Sequence, residues 1–254
     1  MNIDAIKLDL EKLLYIAGDI IAKWFIDTKK DVRSKTDAND LLTKYDVAVN
    51  TMILEHLQTN YPTISIISEE APEIKKESDF AFVVDPIDGT RNFVRHIPVF
   101  FVGIALVKNN KTILSITYNP MTKELFHAIK GKWAYVNWEK ISVSTRTLDL
   151  SDVIVRWIPN KKLEKQVVSN IIEHVHQVKN NMCCHEEISW VACDKYDWFV
   201  SKGSFAWDYC HYLLVEEAWG VVTDWEGNPF DISKNNAVIS NGIIHHQLLD
   251  FLQL

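Results

Sequence analysis

Apolar residues recur every three or four positions from Ile3 to Ile26. Ile6, Leu10, Leu13, Ala17, Ile20 and Trp24 share one stripe, so the spacing predicts a long amphipathic helix. The polar segment Lys29–Asp40 breaks the pattern and reads as an exposed loop or hairpin, a candidate mobile flap. A second helix is expected from about Leu42 to Gln58, with Val49, Ile53 and Leu57 on one face and Pro62 beyond its end. Short strand-like runs follow at Ile64–Ile67, Phe80–Val84, Phe101–Val107, Ile113–Tyr118 and Leu125–Ala128. Asn109-Asn110 and Asn119-Pro120 lie between runs and predict hairpins in a largely antiparallel sheet.

After Ser151 the pattern alternates. Strands are expected at Val153–Trp157, Trp198–Ser201, Val221–Thr223 and Ala237–Ser240. Helices are expected at Leu163–Val178, Tyr209–Ala218 and from Ile244 onward. Alternation of this kind predicts a layered α/β protein. Two halves follow from it: an α+β half over residues 1–145 carrying the acidic motifs, and an α/β half over 146–254.

The chain has 254 residues, 47% hydrophobic and 24% charged, which suits a folded domain with a substantial core. No apolar run reaches the roughly 18 residues of a membrane span, and acids among the first residues argue against a secretory signal. The four cysteines form no Cys-x-x-Cys pair and read as reduced thiols in a cytoplasmic protein. A net charge of −7 argues against a broad nucleic-acid footprint. It leaves room for a small anionic substrate, because metal ions invert the field of a carboxylate-rich site.

Chemistry concentrates in Val83-Val84-Asp85-Pro86-Ile87-Asp88-Gly89-Thr90. Pro86 fixes φ and is expected to stop the strand, so that Asp85 and Asp88 converge instead of alternating. Gly89 lets backbone N–H groups approach an anion, and a helical turn over residues 90–95 would add its positive end. Two carboxylates and the Ile87 carbonyl make a hard-oxygen set suited to Mg²⁺. Glu69-Glu70 follows the run Ile64–Ile67. An acidic pair there is ordinarily a solvated loop, but beside Asp85 it would complete a carboxylate nest. Asp208 heads the helix from Tyr209, where N-capping is its ordinary role.

Taken together, these segments resemble the inositol monophosphatase family, within the Mg²⁺-dependent, lithium-sensitive phosphomonoesterases. The marks are Glu69-Glu70, then Asp85-Pro86-Ile87-Asp88-Gly89-Thr90, then Trp207-Asp208 and Glu217-Ala218-Trp219-Gly220. Asp40–Asp46, Asn92-Phe93 and Gly227–Asp231 extend the likeness along the chain. The resemblance implies a five-layered αβαβα sandwich, a homodimer, and two or three Mg²⁺ ions per site. Carried over by position, Glu69, Asp85 and the Ile87 carbonyl hold one ion. Asp85, Asp88 and Asp208 hold a second, and Glu69 helps a looser third. Thr90, paired with Asp46, would orient and deprotonate the attacking water. Gly89 and Thr90 amides would bind phosphate, and Lys35 matches a lysine of the mobile loop.

The substrate side departs from the family. Ser68 replaces the glycine before the Glu pair, and Gly-Thr-Thr-Asn becomes Gly89-Thr90-Arg91-Asn92. The glutamate that reads inositol hydroxyls falls on Ser201, and the usual Gly-Ser-Ala-Ala stretch falls on Ile188–Val191. Trp190 or Trp198 would stack on a base if not simply packed in the core. Arg91, Arg95, Arg156, Lys161 and Lys162 could meet a second anionic group if not merely solvated.

The expected activity is hydrolysis of a small phosphorylated metabolite, with no nucleic acid or membrane partner. Inositol and other polyol phosphates, fructose 1,6-bisphosphate, and the NADP 2′-phosphate or 3′-phosphoadenosine phosphate all stay open. A non-catalytic binding or regulatory member is the alternative of another class. An aspartyl-phosphate mechanism of the haloacid-dehalogenase type fits poorly, because its two aspartates lie two residues apart and these lie three apart.

Overall fold

The computed structural model describes residues 1–26, 32–34, 41–146, 173 and 179–252. Helix α1 (Ile3–Phe25) starts where the Asn2 side-chain oxygen accepts the Ala5 amide at 3.2 Å. Its buried face runs through Ile6, Leu10, Leu13, Leu14, Ala17 and Ile21. Strands β1 (Val32–Ser34) and β2 (Leu41–Thr43) pair antiparallel. The rest of the expected flap, including Lys35, lies outside the described residues. Helix α2 (Lys44–Asn60) follows directly.

Strands β3 (Ser65–Ser68), β4 (Ala71–Ile74), β5 (Phe80–Asp88), β6 (Phe101–Lys108), β7 (Lys111–Asn119), β8 (Glu124–Ile129), β9 (Ala134–Val136) and β10 (Glu139–Lys140) form one sheet. Their order is β10-β9-β8-β7-β6-β5-β3-β4. All neighbours are antiparallel except β3 and β5, which run parallel. Asn109 and Asn110 both adopt positive φ (49° and 62°), the turn that matches the twist of the β6–β7 hairpin.

A second sheet of β11 (Trp198–Lys202), β12 (Val221–Thr223) and β13 (Asn236–Ser240) has the order β11-β13-β12. Helices α3 (Thr90–Val94), α4 (Cys184–Ala192), α5 (Ala206–Tyr209), α6 (Leu213–Glu217) and α7 (His245–Leu252) complete the chain, with a 3₁₀ turn at Cys210–Tyr212 between α5 and α6. The strand expected at 153–157 lies outside the described residues, as does the helix at 163–178 apart from Glu173.

Side-chain alternation sets the layers. Val84 and Phe82 of β5 with Ile104 and Leu106 of β6 pack against α1 and α2. On the other face Val83, Phe101, Ala105 and Phe126 meet Ile188 and Val191 of α4 and Leu213 and Leu214 of α6. Phe199 and Ile239 close that core from the second sheet, and Trp198, Val200 and Val238 face outward onto Ile244 and Leu248. The result is α1/α2, large sheet, α4–α6, small sheet, α7: the five-layered αβαβα sandwich. Glu217 secures one seam, its carboxylate accepting the amides of Gly131 (2.7 Å) and Trp133 (3.1 Å) in the β8–β9 turn.

Candidate active site

Parallel pairing of β3 with β5 places Ser68 beside Val84, so Glu69 and Asp85 leave adjacent strands at the same end. The Glu69 amide donates to the Val84 carbonyl at 3.2 Å and fixes that corner. Pro86 does not end β5, contrary to the expectation above. The strand continues to Asp88, with Asp85 opposite Gly103 and Asp88 opposite Phe101. Three steps on β5 thus span two on β6, which is a bulge. Residues three apart on a regular strand face opposite sides; the extra residue returns Asp88 to the side of Asp85.

The four carboxyl groups crowd together. Asp85 and Asp88 are buried, and Asp85 Oδ1 accepts the Ile87 amide at 3.1 Å. Burial first, then the charges of Glu69, Asp88 and Asp208 and a hydrogen bond with Glu69, hold the Asp85 carboxyl well above the usual carboxylate range. Asp88 Oδ2 accepts the His185 amide (2.6 Å) and the Cys183 thiol (3.1 Å), which places it at the N-terminal end of α4. Asp208 sits in the first turn of α5, three residues past the capping Phe205, rather than at the cap itself. Its Oδ2 reaches back to the Phe205 amide (2.7 Å), and Oδ1 accepts from the Cys184 thiol (3.4 Å).

Opposite the carboxylates, the Thr90 hydroxyl lies 3.1 Å from Asp46 Oδ1 and 3.0 Å from the Ile87 carbonyl. Asp46 is fully buried in the first turn of α2, at that helix's positive end. Gly89 caps α3 with φ of +88°, and a Cβ there would fall 2.9 Å from the Val99 carbonyl oxygen, so the corner admits only glycine. The Asn92 amide ties α3 to its surroundings, donating to the carbonyls of Val99 (2.8 Å) and Asn181 (2.6 Å).

The remaining expectations divide. Arg91 is half-buried on α3, next to Thr90, and Arg156 lies outside the described residues. Trp190 is packed edge-on against Tyr196, in the core between the sheets. The Ser201 hydroxyl is fully buried on β11 and paired with Ser204 Oγ at 3.0 Å, so it offers no group to a ligand. Residues 188–191 are the interior of α4, and the backbone corner comes six residues earlier, at Met182 (φ +56°). Cys183, Cys184 and His185 therefore reach the carboxylates, and sequence reasoning passed over them. The consecutive Cys-Cys-His was the available signal.

Glu186 lies buried near this edge, with Asn181 Nδ2 donating to it at 2.7 Å. Burial, aided by Glu187 and Asp88 and opposed by Asn181 and Lys195, raises its pKa to about 7. A raised carboxyl pKa stabilises the fold most below the unfolded value near 4.5, and that contribution disappears as pH rises through 7. Glu186→Gln is therefore expected to change stability little at pH 5 and to raise it at pH 8, by about 3 kcal/mol at most. Urea unfolding in EDTA at both pH values checks this; equal shifts at the two would refute it.

Carboxylates held this close, two of them buried, on a layered α/β scaffold repel one another unless cations or protons neutralise them. The family model for the inositol monophosphatase family matches residues 5–253, and the chain belongs to that family. Nus factor SuhB of Escherichia coli is 32% identical over 235 residues, covering 89% of this chain and 87% of that one. Inositol monophosphatase 1 of Solanum lycopersicum is 30% identical over 250 residues, covering 94% and 91%. The crystal structure of extragenic suppressor protein suhB from Bartonella henselae superposes with a TM-score of 0.91 at 29% identity, covering 98% of each chain.

Proposed function

We propose that the protein is a phosphoric monoester hydrolase that acts on a small phosphorylated metabolite with Mg²⁺. The observation that carries this reading is the convergence of Glu69, Asp85, Asp88 and Asp208 on one point, facing the Thr90–Asp46 pair. Four acids without cations repel one another, and their oxygen donors suit a hard ion. Glu69, Asp85, Asp88, Asp208 and the Ile87 carbonyl would hold two or three Mg²⁺ ions. When bound, the ions supply Lewis acidity and shield the charge that builds up in displacement at phosphorus.

The chain's own groups do the rest. Gly89 and Thr90 present amides to the phosphate from the start of α3. Asp46 and the Ile87 carbonyl share the single hydroxyl proton of Thr90, which turns an oxygen lone pair toward the attacking water to accept its proton. As Thr90 accepts that proton, its own hydroxyl proton would pass to the buried Asp46, whose Oδ1 lies 3.1 Å away. The Phe205 and Trp207 rings stack at 4.9 Å beside Asp208, and Phe205 is 60% exposed. That aromatic face suits a planar group, so nucleotide esters join inositol and sugar phosphates as substrates to test. On the family likeness, the protein works as a homodimer in the cytoplasm.

A second reading, a binding or regulatory member on this scaffold, is favoured by the likeness to a relative named as a Nus factor and not as a phosphatase. Phosphate release from inositol 1-phosphate, fructose 1,6-bisphosphate, NADP and 3′-phosphoadenosine 5′-phosphate, with Mg²⁺ or EDTA, separates the two. The hydrolase reading expects Mg²⁺-dependent release, a fall in kcat of about 10²–10⁴ in Thr90→Ala at unchanged KM, and recovery in Thr90→Ser. A folded wild type that binds Mg²⁺ and releases no phosphate from any ester establishes the second.

A further inference from the structure

Behind the carboxylates lies a second set of metal-ligating side chains that the phosphatase reading leaves unused. One ring nitrogen each of His185 and His211 and the sulfur of Cys210 lie within 4.8 Å of one another, and all three residues are fully buried. We infer that His185, Cys210 and His211 form a buried binding site for one divalent ion of the nitrogen- and sulfur-preferring class, Zn²⁺ above all.

Four observations carry this. First, each imidazole is oriented through Nδ1 by a hydroxyl of β7: His185 by Thr117 Oγ1 at 3.1 Å and His211 by Ser115 Oγ at 2.7 Å. Ser115 and Thr117 lie on one face of the strand, so the same surface holds both rings by Nδ1 and leaves the two Nε2 atoms on the far side, that of His185 against the Trp207 carbonyl. Metal-bound histidines are held in this way. Second, His211 Nε2 is buried with no hydrogen-bond partner among the described residues, an arrangement folded proteins seldom leave uncompensated. Third, the Trp207 carbonyl oxygen accepts from His185 Nε2 at 3.0 Å and from the Cys210 thiol at 3.3 Å, so the two groups meet at one point, where an ion would take the place of both protons, His185 then carrying its proton on Nδ1 toward Thr117. Fourth, Gly103 makes the space: a Cβ there would collide with His211 Nε2 and His185 Cε1.

Two imidazoles and a thiolate select Zn²⁺ or its neighbours over Mg²⁺, which prefers oxygen. Tetrahedral zinc bonds of about 2.0–2.3 Å require the three donors to draw in by about an ångström. Binding releases the Cys210 proton to solvent and leaves the sulfur as a thiolate ligand. The site is closed, so the ion enters as the chain folds. Asp85 Oδ2 is 3.9 Å from His185 Nε2, so an ion here places positive charge directly behind the carboxylate cluster.

Cobalt is the probe, because thiolate ligation gives Co²⁺ a near-ultraviolet charge-transfer band and tetrahedral ligation an intense visible spectrum. The full chain is refolded with Co²⁺ and excess Mg²⁺, desalted, and analysed for bound metal and absorbance. About one retained Co²⁺ per chain with the thiolate band is expected, falling about tenfold or more in Cys210→Ser and in His211→Phe. Cys184→Ser should keep both, although Asp88, Cys184 and Asp208 also lie within 4.8 Å of one another. Near-ultraviolet circular dichroism confirms folding of each variant. A folded wild type that retains no Co²⁺ overturns the proposal. So does a band that survives Cys210→Ser and disappears in Cys184→Ser. Neither outcome depends on phosphatase activity.

Discussion

Asp85→Asn is expected to raise the melting temperature of the protein in EDTA and, if the proposed hydrolase activity holds, to cut Mg²⁺-dependent phosphate release about 10³-fold or more. Asp85 is buried against Glu69, Asp88 and Asp208, and those charges together with burial lift its carboxyl well above the usual range. A raised pKa means that ionising Asp85 at neutral pH costs folding free energy, so without cations the native carboxylate is a burden. The amide keeps the acceptor for the Ile87 N–H, and its new N–H donors can serve the hydrogen bond that Asp85 makes with Glu69. Relief of repulsion appears as about 2–4 °C for each kcal/mol recovered. With Mg²⁺ the order inverts, since the wild type gains ligand-linked stability that the variant lacks. Scanning calorimetry with and without Mg²⁺ reads both halves. A variant less stable than wild type in EDTA would show that Asp85 is held by contacts stronger than the repulsion.

Gly103→Ala is expected to destabilise the protein by about 2–3 kcal/mol, a fall of roughly 4–12 °C, and to impair the site as well. Gly103 sits in β6 opposite Asp85, beneath the two buried imidazoles. The colliding atoms belong to rings locked by Ser115 and Thr117 and stacked edge to face at 4.1 Å, so they cannot turn aside cheaply. Displacing His185 also moves the amide that holds Asp88. Gly103→Ala combined with His211→Ala removes one of the two obstacles and gives the His185 ring room to shift, and part of the lost stability should return. Thermal melts of the single and double variants check this; equal loss in both would place the strain elsewhere.

Much of the architecture was legible because α1, α2 and the long strands each bury one face, and that writes a period into the sequence. The strands that went unseen, β4, β9 and β10, are short edge or near-edge segments with exposed residues, one containing Pro72, and edge strands are built to look unlike strands. Helix α4 escaped for the opposite reason. Wedged between two sheets, it buries His185, Glu186 and Glu187 along with Ile188 and Val191, so its polar residues imitate a surface loop.

The acids at 69, 85, 88 and 208 were legible as a group, because Glu69 and Asp88 stand at strand ends, Asp85 precedes Pro86 and Asp208 lies in the first turn of a helix. The bulge at Pro86 was not, since a proline that ends a strand and one that kinks it leave the same trace. The thiol and imidazole neighbours were invisible because only the fold brings residues 183–185 to 88 and 210–211 to 103 and 115.

The site's parts are spread unevenly along the chain. Glu69 and Asp85 come from adjacent strands that can pair once the first half is made, whereas Asp208 arrives far downstream. During synthesis the early sheet can therefore form carrying only part of the charge that later strains it. The last acid joins with α4–α6 and the small sheet, when a complete core exists to hold it. Completion of the four-acid cluster is then the final step this chain takes, and a chain cut short after the first sheet carries Glu69, Asp85 and Asp88 without Asp208 and without the layers that bury them.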